Sequence, residues 1–195
     1  DQLVRACLAW LTNIHTFSKV VTRLPLRGYQ LEAATAILES ILYRRGHSFA
    51  VMMARQAGKN ELSAQLEAYL LNLYQRAGGG IVKASPTFKP QTINSILRLC
   101  DRLDNPWNQG QTRRREGYIV QLGRARTFFF SAERNASVVG GTASLLLECD
   151  EAQDVDETKW DKDFEPMTAS TNATRVFWGT AWTSDTLLAK TITHL

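Results

Sequence analysis

The sequence predicts an α/β fold, a mostly parallel sheet with helices on both faces. Three observations carry that expectation. Short apolar runs alternate with stretches of helical periodicity, the order expected of strand–helix–strand units. One unit joins its strand to its helix through a Gly-Lys turn, Gly58-Lys59. A later apolar run, Leu145-Leu146-Leu147, leads into adjacent acids, Asp150-Glu151, and in open parallel sheets that end of a strand is where ligands bind.

Taken in order, residues 1–26 read as a leading helix and a connector closing on the turn-prone Leu24-Pro25-Leu26-Arg27-Gly28. From Tyr29 to Arg45, apolar Leu31, Ala34, Ile37, Leu38, Ile41 and Leu42 recur at three and four, the period of an amphipathic helix. Ser48–Met53 is a short apolar strand, and Glu61–Gln75 resumes helical spacing after a Gly-containing loop. Ile81–Ala84 is a second strand, closed by Ser85-Pro86, and Phe88–Leu103 reads as a helix with a Pro-bearing entry. Asn105–Arg115 reads as a polar, basic loop. Tyr118–Leu122 and Thr127–Phe130 suggest strands of a hairpin across Gly123, and Leu145–Cys149 and Arg175–Trp178 complete the set. The run Phe128-Phe129-Phe130 is strand-like and continuous, which favours core over a base-stacking platform.

Composition bounds what such a fold can be. The chain has 195 residues, 44% hydrophobic and 22% charged, values of an ordinary globular protein that exclude whole-chain disorder, collagen and coiled coil. A net charge of +4 permits a polyanionic partner without requiring one. Cys7, Cys100 and Cys149 are an odd set without metal-ligand spacing, which argues against a disulfide framework or zinc cage and fits a reducing cytoplasm. No apolar run reaches the ~18 residues of a membrane span, and Asp1–Arg5 lacks a signal-peptide pattern, so neither insertion nor export is expected. The start without Met suggests a trimmed or excised chain.

Met53-Ala54-Arg55-Gln56-Ala57-Gly58-Lys59-Asn60-Glu61 overlays the phosphate-loop pattern G-x4-G-K-[ST], with Met53 at the first Gly position and Asn60 at the Ser/Thr position. The physical logic survives both departures. Gly58 lets backbone N–H groups face a phosphate, the helix N-terminus adds positive potential, and Lys59 supplies a point charge. The Asn60 side-chain oxygen takes the place of the hydroxyl near Mg²⁺. At the far strand end, Asp150 is suited to hold Mg²⁺ through a water and Glu151 to orient and deprotonate an attacking water. A Gly-Lys pair or an Asp-Glu pair alone is as readily a helix cap; together, each after a strand and with room for further strands between them, they point to an ATP hydrolase.

Five segments in this order resemble one family. Leu26-Arg27-Gly28-Tyr29-Gln30, Ala54–Glu61, Ala84-Ser85-Pro86-Thr87 with Gln91, Leu147–Gln153 and Phe177-Trp178-Gly179-Thr180-Ala181 are similar to the motifs of the ATPase half of a large terminase subunit, the DNA-packaging motor of tailed bacteriophages. The likeness covers residues 25–190 and implies a P-loop ATPase of the RecA-like, additional-strand (ASCE) type over 27–195. It implies that Tyr29 and Gln30 recognise adenine and that Arg55, Gln56, Ala57, Gly58, Lys59, Asn60 and Glu61 surround the phosphates, with Arg55 sensing the last of them. Asn60 and Asp150 organise Mg²⁺, Glu151 is the catalytic base, Thr180 couples hydrolysis to movement, and Arg134 acts as a cation reaching a neighbouring subunit. It further implies ATP and Mg²⁺ as ligands, double-stranded DNA, a portal protein and a small terminase subunit as partners, a homo-oligomeric ring when active, and the host cytoplasm as location.

Large terminases resemble two engines in one chain, the second a C-terminal nuclease. Beyond Glu165 the only carboxylate side chain is that of Asp185, and two-metal cleavage needs several convergent oxygens, so ATPase chemistry without DNA cutting is the expectation. Arg113-Arg114-Arg115 with Arg124 and Arg126 form the densest basic run, suited to DNA phosphates or a neighbouring subunit. Two other readings stay open: a helicase-type ATPase domain, because Gln30 and Asp150-Glu151-Ala152-Gln153 also resemble that superfamily, and a nucleotide-free DNA-binding or assembly module.

Overall fold

The computed structural model describes residues 10–138, 140–180 and 186–194. The predicted leading segment is described only from residue 10, and there it forms α1 (Ile14–Val20), capped by the Asn13 side chain, which accepts the Thr16 N–H at 2.8 Å. Helix α2 (Gly28–Leu42) buries Ala34, Ile37, Leu38 and Ile41 of the predicted stripe, while Leu31 is half-buried and Leu42, at the helix end, is exposed. Then follow β1 (Ser48–Met52), α3 (Lys59–Tyr74), β2 (Gly79–Ser85) and α4 (Ile93–Leu103), the last entered through a helical turn at Phe88–Thr92. Strands β3 (Thr112–Arg115), β4 (Ile119–Leu122), β5 (Ala125–Ser131), β6 (Leu146–Cys149) and β7 (Thr174–Gly179) complete the sheet, and α5 (Leu187–His194) closes the order.

These strands form one seven-stranded sheet in the order β1-β7-β6-β2-β5-β4-β3. The pairings from β1 across β7, β6 and β2 to β5 are parallel, and β4 and β3 extend the sheet antiparallel. Consecutive strand residues point to opposite faces, so each strand splits its apolar side chains between two cores. Ile81, Phe129, Leu146, Val176 and Trp178 pack under α1, α2, α3 and α4. Their neighbours Val82, Phe130, Leu147 and Phe177 face the other way, onto Val155, Trp160, Phe164, Leu187 and Leu188. That second face is covered by short helical turns between Ala152 and Thr168 and by α5. Within the phenylalanine run, Phe129 and Phe130 are buried on opposite faces and Phe128 is half-buried, as expected of core.

The basic stretch departs from its expectation. Thr112–Arg115 is not loop but the edge strand β3, paired in register with β4 from Thr112↔Leu122 to Arg115↔Ile119. Its three arginines gave no apolar alternation to read, yet charged side chains on an outermost strand are what keep an open sheet edge from pairing with other chains. Cys100 and Cys149 carry free thiols; Cys7, Ala181 and Asp185 lie outside the described residues.

The topology fixes where chemistry gathers. The phosphate-loop pattern follows β1, the paired acids follow β6, and β7 lies between them. All three strands are parallel, so their C-terminal ends open on one edge.

Candidate nucleotide site

A cleft of about 570 Å³ occupies that edge. One wall is the turn from β1 into α3. Gly58 precedes the helix with φ +84°, a left-handed conformation that glycine adopts without steric penalty, and a Cβ there would lie 2.6 Å from Gln30 Nε2. Lys59 and Asn60 open α3, so the unpaired N–H groups of its first turn face the cleft, a ready anion site. Ala54, Arg55, Gln56, Gly58, Lys59, Asn60 and Glu61 all line the cleft.

Across it, the chain leaves β6 through Asp150 and Glu151. Lys59 Nζ lies 2.7 Å from Glu151 Oε1, with the lysine 8% exposed. The predicted convergence of lysine turn and acids is thus a direct ion pair. Glu151 adopts φ +46°, uncommon for a residue with a side chain, and its second oxygen, Oε2, accepts from Gln153 Nε2 at 2.7 Å. Partial burial disfavours the Glu151 charge, but the Gln153 and Lys59 hydrogen bonds and the charges of Lys59 and Arg55 outweigh it and hold the carboxyl below its usual range.

Asp150 is 3% exposed, and its Oδ1 accepts the Glu151 N–H at 3.0 Å. It lies behind the cleft wall rather than on it. Asn60 Oδ1 is buried without a hydrogen-bond partner, an orphaned acceptor that fits a hard cation. No group of three or more His, Cys, Asp or Glu is gathered for a metal among the described residues. A Mg²⁺ ion here fits only the mode in which phosphates and water supply most ligands.

Tyr29 and Gln30 sit differently from the expected adenine-facing arrangement. The Gln30 amide donates to Gly58 O at 3.1 Å, and its carbonyl oxygen accepts the Arg27 N–H at 2.9 Å. Gln30 is 5% exposed, and both ends of its amide are spent on backbone, so in this structure it braces the phosphate loop from beneath. Tyr29 keeps an exposed ring, with its hydroxyl donating to Ala57 O at 2.7 Å. Thr180 lines the cleft, and its N–H donates to Gln153 Oε1 at 3.2 Å. Arg134 does not line this cleft. It lies on a neighbouring one that shares Gln153 and Asp154, is 81% exposed and pairs with Asp156 at 2.9 Å.

Sequence reasoning gave no role to Gln91, Arg98, Gln153 or Asp154, which also line the cleft. Arg98 Nη1 lies 3.5 Å from Glu61 Oε2, and Arg102 Nε lies 3.6 Å from Glu61 Oε1. These pairs balance an acidic side chain that stands in the first turn of α3 beside an anion site. Both arginines lie on α4, and no periodic signal in the sequence marks them out.

A buried ionic cluster lies beneath the site. Lys83 Nζ is 2.7 Å from Ser63 Oγ and 2.9 Å from Glu67 Oε1. Glu148 Oε2 accepts from Ser63 Oγ and Trp178 Nε1, each at 2.6 Å. Burial and the neighbouring Glu67 charge push the Glu148 carboxyl up to about 8. For Lys83 burial opposes the charge, and the carboxylates of Glu67, Glu148 and Asp150 more than restore it, raising its pKa. One cation therefore faces two buried carboxyl groups, and burial favours the neutral form of Glu148.

Neither the protein-family models nor the curated proteins compared with this chain match it. Solved structures do. The HK97 bacteriophage large terminase superposes with a TM-score of 0.66 at 16% identity, over 88% of this chain and 37% of that one. The Thermus phage P74-26 large terminase ATPase domain gives 0.58 at 17% identity, over 70% and 60%. A large terminase from a thermophilic bacteriophage, in complex with ADP, gives 0.59 at 13%, over 79% and 39%. The chain shares the fold of phage large-terminase ATPase domains, a P-loop NTPase fold, and spans 37% of the length of the HK97 protein. No described helix is long and apolar enough to cross a membrane.

Proposed function

We propose that this chain is the ATPase motor domain of a viral DNA-packaging terminase, hydrolysing ATP with Mg²⁺ to drive double-stranded DNA into a procapsid in the host cytoplasm. The observation that carries the reading is the 2.7 Å pair between Lys59 and Glu151 inside the cleft. A phosphate-loop lysine and a carboxylate from another strand share one site, at the strand edge where this fold class binds ligands.

The chain's own residues account for the chemistry. Lys59 exchanges Glu151 for phosphate oxygens, and the first-turn N–H groups of α3 take the remaining negative charge. Glu151, released from its lysine, accepts the proton of the attacking water. Asn60, whose Oδ1 is left without a partner, and the buried Asp150 behind the wall are the residues that would hold a metal ion. Mg²⁺, when bound, neutralises phosphate charge as a Lewis acid. Arg55 lies on the cleft for the last phosphate, and Arg134, exposed and outside the cleft, would exchange its Asp156 partner to serve a neighbouring subunit in a homo-oligomeric ring. A portal protein and a small terminase subunit are the expected partners of that ring, with Thr180 coupling hydrolysis to movement.

The test is Mg²⁺-dependent ATP hydrolysis by the chain and by Glu151→Gln. The variant is expected to bind ATP at least as tightly as the parent, because Lys59 loses its competitor, while turnover falls by roughly 10² to 10⁴. Undiminished turnover removes Glu151 from the role of base.

A further inference from the structure

The geometry points to Gln153 as the positioning residue that holds Glu151 on the cleft and carries its displacement to Thr180 and α5. This inference rests on the reading of Glu151 as the base. Gln153 Nε2 donates to Glu151 Oε2 at 2.7 Å, while Gln153 Oε1 accepts the Thr180 N–H at 3.2 Å. A weaker contact of the same Nε2 reaches Asp154 Oδ2 at 3.3 Å. With the Lys59–Glu151 pair, this makes an unbroken chain from the phosphate loop, through the acid after β6, to the end of β7.

The chemistry of the position selects an amide. One end must donate to a carboxylate and the other must accept from a backbone N–H, so the orientation of the side chain is fixed by its partners. A glutamate there keeps the acceptor but repels Glu151, a leucine offers neither contact, and asparagine falls short by one methylene. The backbone beneath is shaped to receive it. A Cβ on Gly179 would lie 2.7 Å from Gln153 Oε1 and 2.3 Å from Leu188 Cδ2. The bare glycine thus lets the amide and α5 press on the same point of β7.

This arrangement makes the Thr180 contact sensitive to the nucleotide. Glu151 is held by Lys59 on one oxygen and by Gln153 on the other. When phosphate takes Lys59, the Gln153 contact becomes the principal restraint on the carboxylate, and any shift of Glu151 is passed to the amide and to Thr180. A ligand moves an equilibrium only through differential contacts, and this chain supplies them.

The experiment compares the parent chain with Gln153→Leu and Gln153→Glu, using a fluorescent ATP analogue for affinity, steady-state hydrolysis for kcat and KM, and amide hydrogen exchange at Thr180 with and without nucleotide. For Gln153→Leu the analogue Kd and KM are expected to stay within about threefold while kcat falls roughly 10- to 100-fold, the signature of a misplaced base rather than a lost binding contact. Thr180 exchange in the nucleotide-free variant should accelerate by roughly tenfold and lose its response to nucleotide. Gln153→Glu should retain the Thr180 protection yet lose turnover. Unchanged kcat in both variants, or Thr180 exchange indifferent to Gln153→Leu, overturns the proposal, as does a parallel loss of affinity and turnover. A parent chain that neither binds nor hydrolyses ATP overturns the nucleotide reading instead, and the exchange measurement on free protein separates the two failures.

Discussion

Replacing Lys83 by Met removes the one cation from the ionic cluster beneath the site. Lys83 is 2% exposed, and Glu67 and Glu148 are fully buried. Met matches the lysine stem in length, so little packing is lost and the change reports on charge. Glu67 is left inside the protein with Ser63 Oγ, at 3.1 Å, as its remaining hydrogen-bond partner. Breaking a buried pair by removing one member costs about 3–5 kcal/mol, a large share of the roughly 5–15 kcal/mol that stabilises a typical domain. At roughly 2–4 °C per kcal/mol for a chain of this size, the melting point should drop by roughly 6 to 20 °C. Urea and thermal unfolding at pH 7, followed by far-UV circular dichroism, measure the free-energy loss and the melting point. The double variant Lys83→Met with Glu67→Leu replaces the pair by apolar groups and should recover most of the loss, since a buried pair and a well-packed apolar substitute are often close in stability. A loss under about 1 kcal/mol for the single variant, or a double variant no better than the single, refutes the view that an unpaired buried carboxylate is what the lysine prevents.

Further outcomes follow from the same structure. Because the Glu148 carboxyl is raised from its ordinary 4.5 to about 8 in the folded protein, the folded state binds an extra proton between those values. Stability from this group therefore falls as pH rises through that window and levels off above it, with a slope of at most about 1.4 kcal/mol per pH unit; urea midpoints for the parent and Glu148→Gln check this, the variant showing the flatter profile. Cys149 is wholly buried and its thiol is pushed well above the usual range by desolvation and the Asp150 charge. Iodoacetamide at pH 8 should leave it unmodified in the native protein and alkylate it in denaturant, read by peptide mass spectrometry. Arg134→Ala should leave the nucleotide affinity of the isolated chain within about twofold, since surface changes away from a site have small effects, and should abolish DNA-stimulated hydrolysis in assembled rings; a ring of the variant that hydrolyses at the parent rate places the trans cation elsewhere.

Much of this was legible in the residues because two local signals are strong. A Gly-Lys turn between a strand and a helix needs only a dozen residues to be recognised, and Leu145–Cys149 reads as a buried strand from its apolar run alone. Gln153 was in view within Asp150-Glu151-Ala152-Gln153, but its partners are Glu151, two residues away, and the backbone of Thr180 just past the end of β7. The second contact exists only once β7 is inserted beside β6. Lys83 was equally visible in Ile81-Val82-Lys83-Ala84, as a charge in an apolar strand. What it pairs with, Glu67 on α3, depends on how the helix crosses the sheet. The bracing role of Gln30 was hidden for the same reason, and β3 because a strand of arginines has no apolar face to betray its period.

The insertion of β7 has a mechanical consequence. Neighbouring strands lie about 4.8 Å apart, so one intervening strand separates the loop after β1 from the acids after β6 by about 10 Å, a gap of the size a phosphate and its attacking water need. The end of β7 projects into that gap, with Met52 paired to Gly179 on one side and Cys149 to Phe177 on the other. Whatever draws the phosphate loop and the acids together or apart must act across Thr180. Below the same three strands the Lys83 cluster joins α3 to β2, β6 and β7 through Ser63, Glu148 and Trp178. The strand bodies are therefore fixed relative to the helix that carries Lys59, and freedom is left to the residues beyond their ends. A sheet held rigid below and open above would pass a change of partner at Lys59 to one strand end, as the proposed motor function requires of a coupling element.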